Sequence, residues 1–256
     1  MNTLILFGLV VSILIAITGG VFGVLLSSVA PRRLEALVLM ATGALLGVTA
    51  FDILPEAKLD LSWVRFLASL GFGYFFMWIV GKRIFHVCPS CAIAHLDLST
   101  ALQGKRAIMM LGIALGIHCA MDGLAIVAGG ELPVRVGLGV LVGVGLHKLP
   151  EGLALALLLL GAGLTKREAL QRVISIESLT SVGGIAGIAF GQHTNRTLIG
   201  MVFSMIGGGF LYLVINSLYG AFRHKMALSI HEAIVITGTS FAFTGAFLWI
   251  VSRGFH

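Results

Sequence analysis

Eight apolar runs, each about 20 residues long or more, follow one another along the chain with short polar breaks between them. They fall at roughly 4–29, 35–54, 62–81, 107–129, 134–161, 170–191, 197–221 and 228–251. About 20 helical residues cross the hydrocarbon core of a bilayer, so each run predicts a spanning helix. Runs such as "LALALLLLGAG" do not alternate polar with apolar, which sets aside a transmembrane barrel. The predicted fold is an all-α integral membrane protein of eight helices. It forms one transmembrane domain over residues 1–256, with its longest loop at about 82–106.

Composition agrees with that pattern. The chain is 58% hydrophobic and 11% charged, against about 25% charged in soluble domains. Its 34 glycines suit helices that approach closely in lipid. A net charge of +6 does not point to nucleic acid, because no basic patch is interleaved with aromatics. The basic residues serve orientation instead. The first 30 residues carry no charged side chain, so a retained first span is expected rather than a cleaved signal peptide. Loops after the odd-numbered spans hold eleven Lys and Arg, and the other side holds five. The positive-inside rule then predicts extracytoplasmic termini and a cytoplasmic 82–106 loop, in an inner cell membrane.

The chemistry lies in the exceptions to apolarity. Asp122, Glu151 and Glu177 sit within three consecutive spans, where a central carboxylate costs about 2.5–3.5 kcal/mol to insert. Two of them follow a histidine by four residues, in "HCAMD" (His118, Asp122) and "HKLPE" (His147, Glu151). Residues i and i+4 share one helical face, so each pair aims an imidazole and a carboxylate at one point. Such nitrogen and oxygen donors suit Zn²⁺ and its first-row neighbours. The plainer reading is a charge-paired helix seam, and two such pairs plus a third carboxylate argue against it. Pro150 deprives the Leu146 carbonyl of its helical partner; it marks an ion site or a passive kink.

These residues carry a family resemblance. "HKLPEGLA" resembles the fifth-span H-N-x-P-E-G signature of the ZIP (Zrt/Irt-like) divalent metal transporters. "HCAMDGLA" is similar to the fourth-span motif of a branch with H-x-x-x-D-G, found in prokaryotic-type members. "SIESL", "FDILPEA" and "GGGFLYLVINSL" resemble segments of the sixth, second and seventh spans. The resemblance implies a ZIP-like bundle that is a transporter and not an enzyme. It also implies divalent metal as transported substrate, flux into the cytoplasm, and in some members one helix bundle sliding against another.

The chain departs from the family beside its ligands. Cys119 and Lys148 occupy positions where many members carry Asn or Asp that help hold a second metal ion. A protonated Lys148 has no lone pair to offer. Either its ammonium stands in for a second metal, or it points off the ligand face, about 100° round the helix from His147.

Other candidates lie at the ends. The loop "HVCPSCAIAHLD" brings His86, Cys88, Cys91 and His95 to a spacing suited to Zn²⁺ or to redox chemistry. His231 and Glu232 line an exit or form an interfacial pair. Asp52 and Glu56 attract cations at an entrance or are solvated acids. The expected partners are Zn²⁺, Fe²⁺, Mn²⁺ or Cd²⁺ and the lipid bilayer, and a homodimer is compatible with the sequence. A proton-coupled carrier of a small solute is the competing function, with the same groups as a proton relay.

Overall fold

The computed structural model describes residues 3–25, 31–83, 105–191, 195–223 and 228–254. All regular structure among these residues is helical. In chain order the elements are α1 (Thr3–Leu25), α2 (Pro31–Val48), a π turn (Thr49–Ile53), α3 (Leu54–Leu59), α4 (Trp63–Arg83) and α5 (Lys105–Gly130). There follow α6 (Val134–Gly161), α7 (Lys166–Glu177), α8 (Leu179–Gly191), α9 (Arg196–Arg223) and α10 (Ile230–Gly254). Among the described residues, seven helices are long and apolar enough to cross a membrane. The predicted sixth span is instead two shorter helices, α7 and α8, meeting at Ser178.

Local chemistry marks the two irregularities. The Ser178 hydroxyl donates to the Ile174 carbonyl at 2.6 Å, and the Ser178 N–H reaches the same oxygen at 3.0 Å. Such back-bonding competes with the helical ladder. In the second span, Pro55 has no N–H to donate. The Leu54 N–H bonds to the Thr49 carbonyl, closing a π turn just before it. That extra residue re-aims Asp52. At the start of α7, Thr165 and Glu168 form a capping box, with the Thr165 N–H donating to Glu168 at 2.9 Å. These bonds hold the exposed Glu168 carboxyl below its ordinary pKa.

The helices sort into two groups. α1 packs along α6, and α5 packs along α8, with α7 against α1 and α6. α4 packs along α9, and α10 along α2. α2 against α6 is the main seam between the groups. Lipid gives helices little hydrophobic reason to associate, so close packing must do the work. A β-carbon on Gly152 would overlap the Ala16 carbonyl of α1, and one on Gly183 would overlap the Ala120 carbonyl of α5. Backbone lies against backbone at both crossings. The second group adds cross-helix hydrogen bonds, Thr42 to Ser217 at 2.9 Å and Ser204 to the Phe66 carbonyl at 2.9 Å, each worth about 0.6 kcal/mol on average. Phe72, Phe75, Phe243 and Trp249 of the peripheral α4 and α10 face outward, as lipid-facing residues do.

Candidate metal centre

The centre is built by three helices of the first group. α5 contributes His118, Cys119 and Asp122. α6 contributes His147, Lys148 and Glu151. α7 ends on Glu177, beside the break at Ser178. All seven side chains are buried.

Two subsites emerge. In the first, His118 Nε2 and His147 Nε2 lie 3.0 Å apart with the rings nearly perpendicular. Glu151 closes the triangle, its Oε1 3.6 Å from His118 Nε2 and its Oε2 3.3 Å from His147 Nε2. Asp122 Oδ2 stands 3.6 Å from His118 Nε2. His118, His147 and Glu151 therefore converge around one point, and Asp122 stands beside His118 while its Oδ2 pairs with Lys148.

The second subsite holds Cys119, Glu151 and Glu177, whose ligand atoms all lie within 4.8 Å of one another. The Lys148 ammonium fills it. Nζ is 2.9 Å from Asp122 Oδ2, 2.9 Å from Glu177 Oε2, 3.2 Å from Glu151 Oε2 and 3.2 Å from Cys119 Sγ. Of the two orientations open to Lys148 from sequence, its side chain takes the one toward the carboxylates. The ammonium donates hydrogen bonds to Glu177 Oε2 and Cys119 Sγ and lies at ion-pair distance from Asp122 and Glu151.

Several buried polar atoms here lack a partner among the described residues: His118 Nδ1, Asp122 Oδ1 and Glu177 Oε1. Three carboxylates and one ammonium leave two negative charges when the imidazoles are neutral. A single divalent cation balances that charge. Uncompensated charge at this burial costs several kcal/mol, so the cluster takes up either protons or a cation.

The remaining candidates lie elsewhere. His86, Cys88, Cys91 and His95 fall outside the described residues. His231 is exposed, and Glu232 caps α10 through Ser229 and pairs with Arg32. Asp52 is buried on the π turn, and Glu56 pairs with Arg135 of α6 at 2.9 Å. Arg135 was not among the sequence candidates. The signal available was opposite charge at facing ends of two spans.

Comparison with known proteins places this centre in context. Zinc transporter ZIP10 of Homo sapiens is 30% identical over 109 residues, and the Mus musculus protein gives the same figures. The Danio rerio protein is 29% identical over 109 residues. Each alignment covers 43% of this chain and 13% of the relative, so the chain spans only a small part of those proteins' length. Residues 86–243, more than half of the chain, match the family model described as ZIP zinc transporter. This multi-pass membrane protein belongs to the ZIP zinc transporter family, whose members are transporters and not enzymes.

Proposed function

We propose that this chain carries divalent transition-metal cations across a cell membrane into the cytoplasm, Zn²⁺ foremost. Fe²⁺, Mn²⁺ and Cd²⁺ compete for the same site. His118, Asp122, His147 and Glu151 are the ligands, and Glu177 supplies charge from a third helix. The observation that carries this reading is the spacing of the donors. Metal–ligand bonds of about 2.0–2.1 Å put tetrahedral donors about 3.3 Å apart. The pairs His118–His147, His118–Glu151, His147–Glu151 and His118–Asp122 lie 3.0 to 3.6 Å apart. Two imidazoles in such a shell favour Zn²⁺ over Fe²⁺ and Mn²⁺ in affinity order, and the ZIP10 relatives are named as zinc transporters.

The Lys148 ammonium holds the second subsite and limits the centre to one ion, with Cys119 as its neutral neighbour. The excess of Lys and Arg in the odd-numbered loops supports extracytoplasmic termini. On that orientation the loop bearing His86, Cys88, Cys91 and His95 receives the ion inside.

The test is uptake of radioactive zinc into proteoliposomes. Alanine at His118, Asp122, His147 or Glu151 should lower uptake by at least about 10–100-fold, the range that even indirect ligand supports command. Size-exclusion profiles should stay unchanged. Near-normal uptake by both His118→Ala and Glu151→Ala would refute the site. Metal-independent, proton-driven solute uptake needing the same residues would favour the carrier alternative.

A further inference from the structure

Facing residues connect the Glu56 end of α3 to the metal centre along the seam between the two helix groups. On α6 the positions Arg135, Gly139, Gly143 and His147 recur every four residues, a row that drifts round the helix by about 40° per step. Opposite them stand Glu56, Asp52 and Val48. Arg135 pairs with Glu56 at 2.9 Å, a β-carbon on Gly139 would overlap the Asp52 carboxylate, and one on Gly143 would overlap Val48. His147 lies eight residues beyond Gly139, about 12 Å along the helix.

Asp52 is the anomaly on this path. It is only 6% exposed, and its Oδ2 has no hydrogen-bond partner among the described residues. A buried carboxylate left this way is costly unless a proton or a cation joins it. The π turn presents it to a helix face stripped of side chains by Gly139, one turn below Glu56. Glu56 is meanwhile held by the one guanidinium on the same face.

We infer that Asp52 and Glu56 form a staging site for the incoming divalent cation, and that Arg135 is its tethered stand-in. With no metal present, the guanidinium neutralises Glu56 and closes the port. An arriving cation takes both carboxylates, and Arg135 is released toward water, its side chain being 37% exposed already. Two carboxylates with water make a hard, weak and unselective site, suited to capture rather than retention. Selection is left to the imidazoles below. The transport role of this station rests on the reading of the buried centre, but its metal binding does not.

The experiment therefore uses the full chain in nanodiscs with His147→Ala and Glu151→Ala, which disables the buried centre. Mn²⁺ is the probe, read by electron paramagnetic resonance. Arg135→Gln in that background should tighten Mn²⁺ binding at one site by about tenfold, equivalent to about 1.4 kcal/mol of lost competition. Adding Asp52→Asn should abolish the gain. Arg135→Lys, which keeps a cation, should bind Mn²⁺ nearly as weakly as the parent and guards against misfolding as the cause. In the otherwise native chain, Asp52→Asn should raise the KM for uptake more than it lowers kcat. Unchanged Mn²⁺ affinity in Arg135→Gln, or a gain that survives Asp52→Asn, overturns the proposal. Failure of the buried centre alone would leave the Mn²⁺ result standing.

Discussion

On the proposed function, Lys148 sets the stoichiometry of the site. Unit charges about 4 Å apart interact by about 4 kcal/mol at an effective dielectric of about 20. An ammonium within 3.2 Å of three carboxylates and a thiol therefore both steadies them and repels a second cation. Lys148→Met should leave the carboxylates unpaired and cost about 3–5 kcal/mol, seen as a lower Tm in detergent. Zn²⁺ at about 100 times its Kd should return about 2.7 kcal/mol of that. A Tm that ignores both the substitution and the metal would mean the ammonium balances nothing. Lys148→Asp should go further and bind two ions where the native chain binds one, counted by elemental analysis with Cys88 and Cys91 replaced by serine. Residue spacing made His118, Asp122, His147 and Glu151 legible, because i, i+4 fixes a shared face. The direction of Lys148 was not legible. Its position is rotated off that face, and a flexible four-carbon stem can bring the charge back or carry it away.

At the level of elements, the centre depends on how tightly its helices are allowed to approach. Gly152 follows Glu151 directly and meets the Ala16 carbonyl of α1. Gly152→Val would push α6 off α1 and carry Glu151 with it, although Gly152 is no ligand. Uptake should fall about 10²-fold, the loss that a displacement of about 1 Å inflicts on a positioned group. Gly71→Ala on the lipid-facing side of α4, with nothing within 4 Å of the added carbon, should transport normally. Equal behaviour of the two variants would show that the α1–α6 contact does not position the site. The long helices were readable because hydropathy and length suffice to define a span. The split at Ser178 was not, since "SIESLT" contains neither Gly nor Pro, and a hydroxyl back-bond of the kind Ser178 makes to Ile174 also occurs inside unbroken helices. The π turn was half-visible: Pro55 announces an irregularity without saying on which residue it falls. The burial of Asp52 and its alignment with Gly139 needed the packing of two distant segments, which no local pattern encodes.

In the whole molecule, every charged or imidazole group of the centre belongs to the group of α1, α5, α6, α7 and α8. The other group, α2, α3, α4, α9 and α10, offers it no ion-pairing partner among the described residues. Such a cluster can move with its helices as a unit, without breaking one of its own ion pairs. Motion between the groups would be resisted mainly where α2 and α3 meet α6, with Val48 on Gly143 and Arg135 on Glu56. A transport cycle that slides one group past the other must separate Val48 from Gly143. Val48→Cys with Gly143→Cys should then trap the protein. The β-carbons would stand 2.8 Å apart, so the helices must part by about 1 Å to accept a disulfide. With Cys88 and Cys91 changed to serine, oxidation should stop zinc uptake and a reductant should restore it, while each single cysteine variant stays active. Full uptake by the cross-linked protein, with the disulfide verified by mass spectrometry, would require the ion to pass between groups that stay fixed at this seam.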